Sequence, residues 1–523
     1  MKGKHPLTPP PCISLPGVAR LAFSHSLGEA GPPDNCVRQI STIQEAVENA
    51  RGPRYGRPSD RYGLPTALFN QELAILKYDL EHLEAFTPDC PTVENAFELV
   101  CSSTAFYPER YYREMCVGGI ISALLPGGTS PMLPERTADG GVKPLGAWLE
   151  GLFAYLIFRQ KDEQGLEGDP FLQSLLVYSK MISEKHVKPF PLPVTLLLTC
   201  LKQYAELIPR SNLPIVLLDI TGNRLEVSAA IFTNAIYADK LLSIELMLGT
   251  HARENVIRVA RIFTAISKCA TSLQNLYKNL RDSSDQVPGV EFPNPTPDPP
   301  GPSEEIRALR FLCKLDRVRG TELITVDVDN ERHGIYLAKR SNGPSGDETV
   351  LVKFAPRYHA TAHRLLADHD PPLAPALYSC TRVIGGMYMV VMEYLQDAKP
   401  LDHFFPQYPT PLPPPPDVDV VRRDLTKALD LLHKKDLVFS DLRERNVLYS
   451  PKDKGRVFLI DFDAVGEHGK DRHSPCLNTE LGLGVGRWQI MEKSHDESNR
   501  DRILSWLSTT VDLARRLKAE FED

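Results

Sequence analysis

No apolar run in the 523-residue sequence reaches the roughly 18 residues that a membrane-spanning helix needs. The greasiest stretches, such as Gly118–Leu125 and Val194–Leu201, are less than half that long. No membrane partner is expected. The first residues, Met1-Lys2-Gly3-Lys4-His5-Pro6, run into prolines instead of a continuous apolar core, so a secretory leader is not expected either. The expected setting is intracellular, cytoplasmic or nuclear. The ten cysteines include no C-x-x-C pair, and their wide spacing suits neither a zinc knuckle nor a disulfide scaffold. Positive charge is not in excess: the net charge of −7 gives no chain-wide electrostatic footprint for nucleic acid. With 42% hydrophobic and 24% charged residues the chain can bury a sizeable core, which excludes a wholly disordered or collagen-like protein.

What is abundant is proline, and it is unevenly placed. Of 45 prolines, seven lie in residues 1–33, seven in 288–302 and seven in 406–416; the remaining 24 are spread at the ordinary density of folded domains. Length alone suggests about three domains. The proline clusters instead divide the chain into a disordered head (1–39), a first folded part (40–282), a proline-rich linker (283–303) and a second folded part (304–516) that carries the third cluster as an insertion at 406–416.

In the first part, residues 40–130 read mostly as helices, for example Ile43–Asn49 and Glu94–Cys101. The apolar runs Leu152–Phe158, Ile215–Leu218 and Val227–Phe232 read as strands, the last two joined by a turn at Thr221-Gly222-Asn223-Arg224. Asn255–Leu280 carries Val256, Val259, Ile262, Phe263, Ile266, Leu273, Tyr277 and Leu280 at helical spacing and should close this part. In the second part, strands are expected at Leu323–Val328, Gly334–Lys339 and Thr349–Phe354, with a turn at Asn342-Gly343-Pro344-Ser345-Gly346 before the third. A helix is expected at Tyr358–Ala367, and strands at Tyr378–Val383 and Tyr388–Glu393. A helix over Val418–His433 follows, and then mainly helical chain apart from a hairpin near 447–461. A small β-rich lobe followed by a helical lobe implies a cleft between them.

Four polar residues fall where that cleft would be. Lys353 ends the strand Val350-Leu351-Val352, Asp441 and Asn446 flank the loop Ser440-Asp441-Leu442-Arg443-Glu444-Arg445-Asn446, and Asp461 follows the strand Val457-Phe458-Leu459-Ile460. Phosphoryl transfer needs these types: a fixed cation for the nucleotide's phosphates, oxygen ligands for Mg²⁺, and a carboxylate to orient the attacking hydroxyl and take its proton.

This constellation resembles the protein-kinase-like superfamily over residues 304–516. Val350-Leu351-Val352-Lys353 is similar to its strand-lysine motif and Asp441-Leu442-x-x-x-Asn446 to its catalytic loop. Asp461-Phe462-Asp463 is similar to its metal-binding motif, with Asp in place of the final Gly. The resemblance implies ATP and Mg²⁺ as cofactors, with Lys353 and Asp441 catalytic and Asn446 and Asp461 holding metal. Lys353 also meets the nucleotide phosphates, and Met392, Glu393 and Leu395 form the hinge for the adenine edge. Asp496 is expected to brace the catalytic loop. The implied function is an ATP-dependent protein kinase acting on a Ser or Thr hydroxyl of a protein substrate, the alternative being a pseudokinase scaffold without catalysis. The sequence departs from the family in three places. The turn Asp327–Ile335 has a single glycine, Gly334, instead of G-x-G-x-x-G, so fewer backbone N–H groups face the phosphates. The helix after Lys353 offers Ala360-Thr361-Ala362-His363 and no glutamate, so an acidic surrogate must come from elsewhere. Phe439-Ser440 replaces His-Arg before Asp441, which removes the arginine that reads activation-loop phosphorylation.

Upstream, Asp139, the strand ending in Arg159-Gln160-Lys161-Asp162-Glu163, and Asp169-Pro170-x-x-Gln173 together resemble restriction-endonuclease-like domains, which use an Asp and an E-x-K to bind metal. Arg159 stands at the glutamate position. A cation there opposes a divalent ion, so a degenerate, inactive α/β nuclease-like scaffold is expected. Fungal kinase-domain proteins and crinkler-type effectors share this order of parts. The expected fold class is α+β, a two-lobed kinase-like domain preceded by an α/β restriction-endonuclease-like domain.

Overall fold

The computed structural model describes Arg54 and residues 63–126, 146–161 except 152, 169–182, 210–282 except 234, 289–315, 322–323, 334–341, 346–404 and 415–522, with 453–454 and 480–481 left out. The proline-rich head, the helix expected at Ile43–Asn49, Asp139, Asp162 and Glu163, most of the strand Leu323–Val328 and of the turn Asp327–Ile335, residues 342–345 and most of the insertion at 406–416 lie outside the described residues. The described residues up to Pro302 fall in one compact unit, and the described residues of Ser303–Ile324 and His333–Asp523 in a second.

Among the described residues, unit 1 holds three α-helices ahead of its sheet, α1 (Gln71–Glu81), α2 (Cys90–Thr104) and α3 (Arg110–Leu124). The first two start at side-chain caps: Asn70 Oδ1 accepts from Leu73 N–H and Asp89 Oδ1 from Thr92 N–H, each satisfying an orphan donor of the first turn. A five-stranded sheet follows in the order β1 (Gly146–Glu150), β2 (Phe153–Lys161), β3 (Ile215–Thr221), β4 (Arg224–Phe232), β5 (Ile236–Glu245). Helix α4 (Pro170–Ile182) lies in sequence between β2 and β3, which pair in parallel, whereas the other neighbours are antiparallel. A parallel pair needs a long crossover, and α4 belongs to it. Strand β2 is buried along its whole length and β3 up to Ile220, as continuous apolar strands covered on both faces are. Gly222-Asn223 closes the β3–β4 hairpin, with Gly222 at φ +55° where a Cβ would be strained. The long helix α5 (Ala252–Asp282) buries the stripe from Val256 to Tyr277. Tyr277 donates its hydroxyl to the Pro214 carbonyl at 2.8 Å, and its ring stacks on Phe153 at 5.7 Å. The described part of the proline-rich stretch, 289–302, has no regular helix or strand. Asn294 N–H donates to the Leu68 carbonyl at 2.7 Å, so this stretch lies against unit 1.

Unit 2 begins with a single capped turn, α6 (Glu304–Arg307). An antiparallel six-stranded sheet follows, built from β6 (Leu309–Leu315), β7 (Glu322–Leu323), β8 (Gly334–Ser341), β9 (Asp347–Ala355), β10 (Leu377–Val383) and β11 (Met387–Glu393) in the order β10-β11-β9-β8-β6-β7. Helix α7 (Ala360–Ala367) follows β9 in sequence. After β12 (Lys399–Pro400) comes α8 (Val418–His433), the helix expected from its apolar spacing. Asp417 caps it, accepting from Asp419 and Val420 N–H, and Val420, Val421, Leu425, Ala428, Leu429 and Leu432 form its buried face. That face packs in one core with Val447 and Tyr449 of β14 (Val447–Ser450), Leu459 of β15 (Arg456–Leu459), and Ile503, Leu504, Leu507 and Val511 of α9 (Lys493–Glu522). Between β15 and α9 the expectation of mainly helical chain fails. The described residues there hold turns and one short strand, β16 (Gly466–Glu467), which pairs with β13 (Leu437–Val438) from before β14. Gly469, Gly482 and Gly484, all at positive φ, explain why helix does not propagate there.

Candidate active site

Strand β9 is the middle of its sheet, with Lys353 opposite Ile335 of β8 and Val390 of β11. Central placement fixes the backbone of Lys353 and leaves it only 8% exposed. Its Nζ lies 2.6 Å from Asp461 Oδ1 and 2.6 Å from Asp463 Oδ2. Burial pushes the Lys353 ammonium toward neutrality, but the two carboxylates outweigh burial and hold its pKa above the usual lysine value. Asp461 itself is at φ +75°, a left-handed conformation rare for a non-glycine residue. The next residue, Phe462, anchors that bend. Its ring stacks on His363 of α7 at 4.6 Å, nearly parallel at 7°, and meets Phe439 edge-on at 5.6 Å.

The loop after β13 carries Asp441 and Asn446. Its entry is held by Asp496 of α9, 1% exposed, which accepts from Phe439 N–H at 2.7 Å and Ser440 N–H at 2.9 Å. This is the bracing role expected of Asp496. His433 Nε2 lies 3.1 Å from the same carboxylate. Ser440, at φ +73°, meets His473 Nδ1 through its hydroxyl at 2.8 Å, and His473 Nε2 lies 3.1 Å from His495 Nδ1. Ser440 is thus tied to the chain after β16 by a histidine. Asn446 donates from Nδ2 to both the carbonyl and Oδ2 of Asp441, at 2.9 and 2.8 Å. Arg443 grips the same carboxylate, Nη2 donating to Oδ2 at 2.7 Å with Nε 2.6 Å from Oδ1. Burial raises the Asp441 pKa above the ordinary carboxylate value, with Arg443 opposing.

A cavity in unit 2 is lined by Leu315, Ile335 and Leu351 from the sheet, by Leu448 and Ile460, by Met392 to Leu395 at and after the end of β11, and by Lys353, Asn446 and Asp461. Its walls are mainly apolar, and Glu393, Lys399 and Arg445 also line it. At the end of β11, Glu393 N–H donates to the Ala376 carbonyl at 2.9 Å while its carboxylate accepts from Ala376 N–H at 3.1 Å. The Glu393 side chain therefore ties β11 to the residue before β10. The residues named from the sequence come together in two pairs, Lys353 with Asp461 and Asp441 with Asn446. Sequence reading did not find the Lys353–Asp463 ion pair, the grip of Arg443 on Asp441, or the His363–Phe462 stack. The one available signal was the second acid in Asp461-Phe462-Asp463.

The donor set fits Mg²⁺. Among the described residues no three of His, Cys, Asp and Glu are grouped to hold a metal unaided. Asn446 spends its amide nitrogen on Asp441, which leaves Oδ1 as its free-facing oxygen, and with an Asp461 carboxylate oxygen it makes the two hard donors that a Mg²⁺ shared with phosphates requires.

In unit 1, Arg159 and Asp219 are neighbours across β2 and β3. Arg159 Nη2 donates to Gln173 Oε1 at 2.6 Å, and burial lowers its pKa to about 10. Asp219 is fully buried, accepts from Ser174 Oγ at 2.7 Å, and is pushed up to about 7 by burial. Arg159 thus sits buried on β2, two residues before its end at Lys161.

No protein-family model matches the chain, and no curated protein does. Among solved structures it is similar to the kinase PK-1 of Cydia pomonella granulovirus, at 19% identity and a TM-score of 0.29, over 39% of this chain and 72% of that one. It is also similar to the yeast RNA polymerase II CTD kinase CTDK-1 complex, at 16% identity and a TM-score of 0.25, over 34% of this chain and 59% of that one. Likeness at this level leaves the chemistry to be read from the chain's own residues. Unit 2 itself is an α+β unit, a six-stranded antiparallel sheet with one helix after its central strand, followed by a mainly helical part. No helix among the described residues is long and apolar enough to cross a membrane.

Proposed function

We propose that unit 2 is an ATP-dependent phosphotransferase of protein-kinase type that modifies a Ser or Thr hydroxyl of a protein. The observation that carries this reading is the ammonium of Lys353 held 2.6 Å from Asp461 in a largely apolar cleft whose lining also includes Asn446, the residue that bonds Asp441. The cleft walls and the hinge at Met392, Glu393 and Leu395 would take the adenine, and Lys353 would meet the phosphates. Asp441 would orient the acceptor hydroxyl and receive its proton at a carboxylate oxygen, a role its raised pKa suits. Asn446 and Asp461 would hold Mg²⁺, which supplies charge neutralisation for the transferring phosphoryl group.

One observation favours the second reading, a pseudokinase: Arg443 engages both oxygens of Asp441. The two readings differ in turnover. With labelled ATP and Mg²⁺, the full-length protein transfers label, and Asp441→Asn lowers the rate by about 10²–10⁴ while the fold is kept. Equal transfer by Asp441→Asn would remove Asp441 from the mechanism, and nucleotide binding without any transfer would select the pseudokinase. For unit 1 we propose a non-cleaving scaffold of restriction-endonuclease-like type, since Arg159 opposes a divalent ion. Cleavage of DNA or RNA with Mg²⁺ or Mn²⁺ would contradict it.

A further inference from the structure

We infer that Asp463 is the fixed anionic partner of Lys353, a positioning residue that supplies from the segment after β15 what no residue of α7 can supply. This rests on the phosphotransferase reading and extends it to a residue whose place in the kinase pattern belongs to glycine. A phosphate-binding lysine must be held at one spot with its charge kept, and an ammonium this buried needs an anion. The helix after Lys353, Ala-Thr-Ala-His-Arg-Leu-Leu-Ala, has no acid. The residue it packs on the Asp461–Asp463 segment is His363, through its stack on Phe462. His363 is uncharged: Nε2 donates to the Pro375 carbonyl at 2.8 Å, Nδ1 accepts from the Tyr358 hydroxyl at 2.7 Å, and burial keeps the ring neutral.

Two carboxylates surround Lys353, and they are not equivalent. Asp461 lines the cleft and Asp463 does not. Asp461 therefore has two claims on it, the lysine and the ligand side of the cleft, while Asp463 has its 2.6 Å contact with Nζ from outside the cleft lining. With glycine at 463, any engagement of Asp461 by Mg²⁺ would leave a buried ammonium weakly held. With Asp463 present, Lys353 keeps its charge partner while Asp461 is shared. Phe462, wedged between His363 and Phe439, fixes the backbone that joins the two acids.

The test is calorimetric binding of ATP to the full-length protein, with Mg²⁺ and in EDTA, for the wild type, Asp463→Asn, Asp463→Gly, Asp463→Glu and Lys353→Met, together with the KM for ATP and kcat. With Mg²⁺, Asp463→Asn and Asp463→Gly weaken ATP binding about tenfold or more, the worth of one charge-assisted hydrogen bond. In EDTA, where Asp461 stays on the lysine, the loss is under about threefold, and Asp463→Glu restores most of the affinity. The KM for ATP rises more than kcat falls. Unchanged affinity in Asp463→Asn beside a loss in Lys353→Met would overturn the role of Asp463 and leave the phosphotransferase reading standing. An equal loss with and without Mg²⁺ that Asp463→Glu does not rescue would reduce Asp463 to a structural residue and overturn the proposal. A wild type that binds no ATP would overturn both.

Discussion

Acid should loosen unit 2 through one histidine. His363 is completely buried, stacked on Phe462 and bonded at both ring nitrogens. A carbonyl can only accept, so Nε2 carries the proton and Nδ1 is the acceptor for Tyr358, which is the neutral tautomer. Protonating Nδ1 would break the Tyr358 bond as it stands and place a cation in the core. Burial accordingly lowers the pKa from 6.5 to about 4. The unfolded chain then binds the proton more readily than the folded one, so the stabilisation is complete above about pH 6.5 and is lost as pH falls toward 4. Each tenfold change in proton affinity is worth about 1.4 kcal/mol, so the loss amounts to about 3 kcal/mol. The three tryptophans make this measurable: Trp148 is in unit 1, Trp488 and Trp506 in unit 2. In a Trp148→Phe background, fluorescence in urea follows unit 2 alone. The midpoint should fall between pH 6.5 and 4, and a His363→Gln variant should lose that part of the slope. Identical pH profiles with and without His363 would refute the reasoning.

Asp496→Ala strands two buried N–H groups, at Phe439 and Ser440, and should destabilise unit 2 by about 2–5 kcal/mol in the same urea assay; a change under about 0.5 kcal/mol would mean the loop is held elsewhere. In unit 1, the Asp219 pKa is raised to about 7 from 3.8. The folded state keeps its proton longer than the unfolded chain, so the stability this contributes is complete below about pH 4 and is lost as pH rises through 7. Trp148 fluorescence in a Trp488→Phe, Trp506→Phe background should report that decline, and Asp219→Asn should flatten it. A slope that persists in Asp219→Asn would point to another group.

Periodicity carried much of the fold. The α8 stripe from Val420 to Leu432 and the apolar runs of β2, β3 and β9 are set by local chemistry, so their spacing in the sequence is their spacing in the core. The segment between Phe462 and Lys493 was not legible, because its turns depend on glycines at positive φ and on bonds to distant residues, such as His473 to Ser440. The same limit applied at the site. Residue types and order singled out Lys353, Asp441, Asn446 and Asp461 as candidates, but which acid would face Lys353 depends on the bend at Asp461 and the anchoring of Phe462, both tertiary. Asp463 therefore read only as a departure from glycine. Likewise Asp441 and Arg443 are two apart in sequence, and nothing in that spacing shows that the arginine turns back onto the carboxylate.

The central claim is that unit 2 binds ATP with Mg²⁺, and its most direct test is the unfolding of unit 2, read by Trp488 and Trp506 in the Trp148→Phe protein, with and without ATP–Mg²⁺. A ligand at one hundred times its Kd adds about 2.7 kcal/mol to the folded state. The account predicts a gain of that order for the wild type, lost when Lys353 is replaced by Met. No gain at millimolar ATP–Mg²⁺ would contradict it.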